Sequence, residues 1–218
     1  MVPKIIHCCW FGGPKTALAR RCRASWARFA PDWEIREFVL PEELPPFVRA
    51  AVRVEKWAVV SDWARMQALY DSGGVYFDYD VELVRPFAPP SGEWVAEEWI
   101  SSGATWMNPG SGLALEKGSA VARYMLDVYA RTDFDEKRDM MPWINRRLSE
   151  AGSLRRLKPE VFSPIDLEGR LHITDETLGI HRYAMSGSSR LRRLARWVSW
   201  HGGRPLVEML LGLRRRFS

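Results

Sequence analysis

The sequence predicts one α/β domain on a parallel or mixed sheet, followed by a short basic tail. Two observations predict it. Strand-like apolar runs alternate with helix-period segments through the first half of the chain, the order that lays helices over a sheet. Between Ser61 and Pro86, in SDWARMQALYDSGGVYFDYDVELVRP, a helical pattern stops at Gly73-Gly74 and an apolar run leads into Asp78 and Asp80. Acids at the carboxyl end of a core strand stand where open α/β sheets place their ligand crevices. At 218 residues the chain is long enough for one sizeable core.

The elements follow in order. Lys4 to Trp10 reads as the first buried strand, Thr16 to Phe29 as a helix and Trp33 to Val39 as a second strand. Pro41 to Ala51 is a short helix broken by prolines, and Val54 to Ser72 is a longer one. Gly73 and Gly74 fit a helix C-cap, where positive φ favours glycine. Val75 to Val84 reads as one central strand carrying both aspartates, with Val75, Tyr76 and Phe77 as its buried start. Trp94 to Trp99 and Leu113 to Glu116 read as further strands, joined by a loop-rich stretch with Ser101, Gly103, Pro109, Gly110 and Gly112. Ala120 to Arg131 and Lys137 to Ala151 are helical, and residues 154–183 are short strands and turns.

The chemistry centres on the Asp-x-Asp pair. In an extended segment, side chains at i and i+2 point the same way, so Asp78 and Asp80 can converge on one divalent cation. Oxygen donors suit Mg²⁺ or Mn²⁺, ions that commonly carry substrate phosphates. Asp62 and Arg65 share a face of the preceding helix. Alone they read as a surface ion pair; beside the two aspartates they join the candidate site.

These residues resemble the sugar-binding Asp-x-Asp region of glycosyltransferase family 32, a group that includes many capsule and surface-polysaccharide transferases. VPKIIHCCWFGG, Val2 to Gly13, is similar to the family's first strand and nucleotide-side loop. WMNPGSGLALEKGS, Trp106 to Ser119, and LGIHRY, Leu178 to Tyr183, resemble two later segments in the family's order. The resemblance implies a GT-A fold over residues 1–189, with a Rossmann-like nucleotide half and a smaller acceptor half. It implies a nucleotide-sugar donor, UDP-sugar before GDP-sugar, a Mn²⁺ or Mg²⁺ ion, and retention of anomeric configuration. By the same resemblance Asp62 and Arg65 hold donor-sugar hydroxyls, Asp78 meets ribose or sugar and a metal-bound water, and Asp80 binds the metal. His181 is the late ligand near metal and diphosphate. Trp10 and Phe11 line the base pocket, and Gly12 and Tyr76 complete the donor-binding set. After the late His the chain reads HRYAMSGSSR, with no Trp until Trp197. This departs from the family's Trp-containing end, so closure over the diphosphate falls to other residues.

On the acceptor side, Glu97, Glu98 and Asn108 are candidates, with Asn108 grouped among the catalytic residues. A retaining reaction in the family's manner needs no protein nucleophile, and the leaving phosphate serves as base. Two other readings carry the same motif. A haloacid dehalogenase-type phosphotransferase also places Asp-x-Asp after an apolar strand, though usually near the N-terminus. A non-catalytic, membrane-attached binder of nucleotide sugars would keep the donor site without turnover.

Composition narrows the partners. The net charge is +5, yet Arg190 to Ser218 carry eight Arg against one Glu, so residues 1–189 are slightly acidic. Arg190, Arg192, Arg193 and Arg196 are interleaved with Leu191, Leu194, Trp197, Val198 and Trp200. Basic segments with Leu and Trp suit an anionic membrane interface, and the alternative is a helix packed on the domain with its Arg face in solvent. Nucleic acid is not expected, since no such motif accompanies the charge. No apolar run reaches the length of a membrane span, and the N-terminus lacks a leader pattern. Cys8, Cys9 and Cys22 lack metal-site spacing and read as buried free thiols of a reducing compartment. A cytoplasmic protein, peripheral at the inner face of the membrane, is the expectation.

Overall fold

A computed structural model describes residues 1–101, 103–166 and 170–184. The expected boundary at 189 and the basic tail, residues 190–218, lie outside the described residues. The expected α/β class is present. A mixed sheet runs in the order β2 (Glu34–Glu37), β1 (Ile5–Cys8), β3 (Gly74–Tyr76), β7 (Leu113–Leu115), β5 (Trp94–Ser101), β6 (Ala104–Met107), and β8 (Arg155–Leu157) also pairs with β5. The β2-β1-β3 side is parallel. From β3 to β6 each pairing is antiparallel. A second sheet of two strands joins β4 (Val81–Leu83) to β9 (Gly179–His181).

Side-chain alternation sorts the core into two layers, as strand geometry requires. Tyr76, Val95, Leu113 and Leu115 point into one layer, while Val75, Phe77, Trp94, Ala96 and Ala114 point into the other. The first layer is closed by α2 (Pro46–Arg53), α3 (Trp57–Ser72), α4 (Ala120–Arg131) and α5 (Met140–Ala151). Phe47 fills its centre against Tyr129 and Trp143. The second layer holds α1 (Ala17–Phe29), α6 (Pro159–Phe162) and the small sheet. Trp26 of α1 donates its indole N–H to the carbonyl of Val81 at 2.8 Å, and Ser25 Oγ accepts from Leu83 N at 2.9 Å. One helix thus anchors the small sheet to the large one.

Helix ends follow local chemistry. Thr16 caps α1 by accepting from the Ala19 N–H. Gly73 ends α3 at φ +65°, its N–H returning to the Leu69 carbonyl at 2.7 Å. Gly73 could not be replaced cheaply even without that φ, since a Cβ would lie 2.6 Å from Lys117 N.

Several boundaries move. The single strand expected over Val75–Val84 is two strands in two sheets, β3 and β4, with a turn between them closed by Val81 N donating to Asp78 O at 3.0 Å. The apolar pattern is continuous through this turn because both strands bury their side chains, so pattern alone does not mark the break. The loop-rich stretch after Trp99 contains β6, a hairpin partner of β5 that Ser101 and Gly103 conceal. The first strand is Ile5–Cys8, and the helix expected over Pro41–Ala51 begins at Pro46, the second of two prolines that fit a first turn. The helix expected from Val54 starts at Trp57, and the one expected from Lys137 starts at Met140. Residues 159–162 add the short helix α6 within a region expected to hold only strands and turns.

Candidate active site

Asp78 lies just past the end of β3 and Asp80 two residues later, in the turn that leads into β4. Phe77 N donates to His7 O on one side, and Asp78 N donates to Gly110 O at 2.8 Å on the other. Asp78 is therefore held at the carboxyl edge of the large sheet, between β1 and the loop that precedes β7. The convergence of the two acids comes from this turn rather than from strand pleat.

On the large-sheet side, α3 delivers Asp62 and Arg65. Arg65 Nη2 stands 3.0 Å from Asp62 Oδ1 and 3.4 Å from Asp78 Oδ1. The guanidinium also lies over the Tyr76 ring, 4.9 Å from its centroid. The Tyr76 hydroxyl donates to Asp78 Oδ1 at 2.8 Å and touches Cys9 Sγ at 2.9 Å. Tyr76 is fully buried, and Asp62 and Arg65 nearly so; Asp78, with 34% of its side chain exposed, is where this group meets solvent. Burial pushes the Asp62 carboxyl up to about 7, outweighing the pull of Arg65. Burial also opposes charge on Arg65, but Asp78 and Asp62 together raise its pKa and keep it cationic.

On the small-sheet side, β9 ends at His181, whose Cα pairs with that of Val81. His181 Nε2 lies 3.3 Å from Asp80 Oδ1. Asp80 Oδ2 accepts from Ala184 N at 2.7 Å, and the Asp80 carbonyl accepts from Arg182 N at 2.8 Å. Burial disfavours both charges, yet the pair lowers the pKa of Asp80 and raises that of His181. Asp80 Oδ1 and His181 Nδ1 are buried without a hydrogen-bond partner among the described residues.

One ligand atom each from Asp78, Asp80 and His181 all lie within 4.8 Å of one another. Two carboxylates and an imidazole, with two buried polar atoms unsatisfied, fit a divalent cation such as Mn²⁺ or Mg²⁺. The fit rests on this donor set and on the orphaned atoms.

Trp10, Phe11 and Gly12 leave β1 as a partly exposed loop beside the turn. Trp10 packs edge-on against Tyr79, with centroids 5.5 Å apart, and donates its indole N–H to Gly13 O. Phe11 lies against Trp57, and a Cβ on Gly12 would come 3.0 Å from the Trp57 Nε1. Trp57, at the first turn of α3, went unnoticed in the sequence because a lone Trp at a helix start resembles any core residue. Glu37 ends β2 and accepts from Lys15 and from the Tyr79 hydroxyl, each at 2.7 Å. It too had no motif to mark it.

Of the residues expected on the acceptor side, Glu98 and Asn108 are bonded to each other, and Glu97 has partners of its own. Glu98 accepts from Trp106 Nε1 and Asn108 Nδ2, both at 2.8 Å. Glu97 accepts from Thr105 Oγ1 at 3.1 Å and pairs with Arg156 at 3.4 Å. Asn108 is buried, and its Oδ1 accepts from Gly110 N at 2.9 Å and Ser111 N at 3.2 Å.

Residues 19–102, which contain both aspartates, match the family described as "Glycosyltransferase sugar-binding region containing DXD motif". The chain is similar to the solved structure named "PaToxG Glycosyltransferase", at 18% identity over 69% of this chain and 68% of that one, with a TM-score of 0.56. It is also similar to a glycosyltransferase involved in the glycosylation of the major capsid of PBCV-1. That likeness has 13% identity over 88% of this chain and 97% of that one, with a TM-score of 0.50. No curated protein matches the chain. The shared fold is the GT-A fold, and the matched region is that of a glycosyltransferase, so the chain is an enzyme of the transferase class.

Proposed function

We propose that this chain transfers a sugar, with retention of configuration, from a nucleotide sugar to a glycan or lipid-linked acceptor in surface-polysaccharide synthesis. The observation that carries the reading is the meeting of Asp78, Asp80 and His181 beside the buried Asp62–Arg65 pair, inside the matched sugar-binding region. Asp78, Asp80 and His181 would hold Mn²⁺ or Mg²⁺, which supplies positive charge to the departing diphosphate when bound. Asp62 and Arg65 fix the position of Asp78 and present sugar-binding groups behind it. Trp10 and Phe11, at the end of β1 where doubly wound sheets receive nucleotides, would line the base side with Gly12. A UDP-sugar is the favoured donor and a GDP-sugar the second.

Retention rests on the resemblance to family 32, in whose manner the leaving phosphate serves as base and no protein nucleophile is needed. Glu98 holds Trp106 Nε1 and Asn108 Nδ2, one on each oxygen, which gives it a structural role on this side of the site. The phosphotransferase reading is the weaker one, because Asp78 and Asp80 lie within the matched glycosyltransferase region.

The test is hydrolysis and transfer with UDP- and GDP-sugars in Mn²⁺ and in EDTA, with product anomers read by NMR. Metal-dependent turnover with a retained anomer is expected. Undiminished turnover in EDTA overturns the metal role, and an inverted anomer overturns retention. Turnover itself separates an enzyme from a binder. The basic tail is proposed to hold the enzyme at an anionic inner leaflet, each Arg near the surface contributing about 1 kcal/mol. No helix among the described residues is long and apolar enough to cross a membrane. Co-sedimentation of the full chain with anionic but not neutral vesicles, lost at high salt, is the expected result; a full chain that stays in the supernatant at low salt removes the membrane from the proposal.

A further inference from the structure

Gly110 touches Asp78 twice. Its carbonyl accepts the Asp78 N–H at 2.8 Å, and a Cβ at Gly110 would lie 2.2 Å from Asp78 Oδ2 and 3.0 Å from Asp78 Cγ. Gly110 is not among the glycines at positive φ. Its backbone would therefore accept another residue; the Asp78 carboxylate would not.

The turn that carries Gly110 is fixed from behind. Asn108 Oδ1 accepts from both Gly110 N and Ser111 N, and Ser111 Oγ donates to Asn108 O at 2.9 Å. An amide can face either way, but the Glu98 carboxylate only accepts, so it takes the Asn108 NH₂ and turns Oδ1 toward the turn. Trp106 Nε1 in turn holds the other Glu98 oxygen. The chain of contacts runs from the β5–β6 hairpin to Asp78 without a gap.

We propose that Glu98, Asn108 and Gly110 are positioning residues for the Asp78 carboxylate, with Glu98 setting the amide, the amide setting the turn, and the bare Cα of Gly110 leaving the space that Oδ2 fills. The inference rests on the reading of Asp78 as a metal-side carboxylate. Outer partners of this kind orient the groups that touch a metal, and their loss typically weakens binding roughly 10- to 100-fold. The added methyl would also come 3.1 Å from Asn108 Oδ1, but its closest contact is the free end of the Asp78 side chain, so most of the cost of Gly110→Ala falls on the place of Asp78.

The experiment is Mn²⁺ titration calorimetry on the full chain, with thermal unfolding and a crystal structure of Gly110→Ala. Gly110→Ala is expected to weaken Mn²⁺ roughly 10- to 100-fold, to lower the melting temperature no further than Asp78→Ala does, and to show Asp78 displaced from the Tyr76 hydroxyl. Glu98→Gln, which must turn an N–H toward either Trp106 or Asn108, is expected to weaken Mn²⁺ in the same direction and by less. Wild-type affinity in Gly110→Ala, or an Asp78 carboxylate unmoved in its crystal structure, overturns the inference. If the wild-type protein binds no Mn²⁺, the metal reading fails, and the crystal structure still decides whether Gly110 places Asp78. If Gly110→Ala does not fold, Glu98→Gln decides: wild-type affinity there overturns the inference.

Discussion

The two aspartates of one turn live in opposite surroundings. Asp78 is fastened by the large sheet: its N–H is held by Gly110, and one oxygen faces both Arg65 and the Tyr76 hydroxyl. Asp80 belongs to the small sheet, where one oxygen is bonded to Ala184 N and the other is buried 3.3 Å from His181 Nε2, without a hydrogen-bond partner among the described residues. The first acid is satisfied and aimed; the second is desolvated and incomplete. A buried polar atom without a partner is costly. The contrast teaches a division of labour, in which the large sheet sets geometry and the small sheet supplies the group with most to gain from a cation.

Changes at five residues test that division. The largest effect is expected at Asp80. Asp80→Ala should lower Mn²⁺ affinity by more than the roughly 100-fold reached by outer partners and abolish metal-dependent turnover, with little loss of stability. Asp78→Ala should lower Mn²⁺ affinity and stability together, since Arg65 then loses one of its two carboxylates. Calorimetry and thermal melts on both variants check the comparison, and an Asp80→Ala enzyme that keeps full turnover breaks it.

Arg65 comes next. Its removal leaves Asp62 buried without a cation, and breaking a buried pair in this way costs about 3–5 kcal/mol. Arg65→Met should lose that much stability in urea unfolding. Arg65→Lys should recover part of it but not the donor affinity, because an ammonium lacks the planar fork that reaches Asp62 and Asp78 together. Equal donor affinity in the Lys variant would show that only charge matters there.

Tyr76→Phe removes one hydroxyl and leaves the buried ring. The loss should be about 1 kcal/mol of stability and roughly tenfold in Mn²⁺ affinity, both read in the same titrations. A Phe variant with unchanged Mn²⁺ affinity would mean that Arg65 and Gly110 alone aim Asp78.

The last change concerns pH. The Asp62 carboxyl titrates near about 7 in the fold against about 3.9 in an unfolded chain. The folded state thus holds the proton longer, so this group's contribution to stability falls as pH rises from about 4 to about 7 and stays lost above it. Asp62→Asn carries no such proton. The stability difference, Asn variant minus wild type, should grow with pH across that window and level off beyond it. A difference independent of pH would mean that Arg65 keeps Asp62 ionised throughout.

Much of this was legible from the residues. The helix Ala120–Arg131 appears with the expected bounds, and the expected Thr16–Phe29 helix appears one residue shorter, with Thr16 as its cap. In each case apolar period and capping chemistry act within a few neighbours. The Asp-x-Asp pair and the Asp62/Arg65 spacing were visible for the same reason: i+2 and i+3 relations need no distant chain. The break between β3 and β4 was not visible. Both strands are buried, and only the pairing of Val81 with His181, across a hundred residues, separates them. The hairpin strand β6 was hidden because its pairing with β5, not its composition, makes it a strand.

What the sequence determined by itself was the class of fold, the order of most elements and the acids of the site, because local periodicity and short spacing carry that information. Tertiary structure alone decided which oxygen of each aspartate is satisfied. It brought Tyr76 under Arg65, set Gly110 against Asp78, and turned Glu98 inward to hold Asn108. Those contacts join residues far apart in the chain, and their effect depends on burial and on distances of a few ångströms, which no pattern along the sequence encodes.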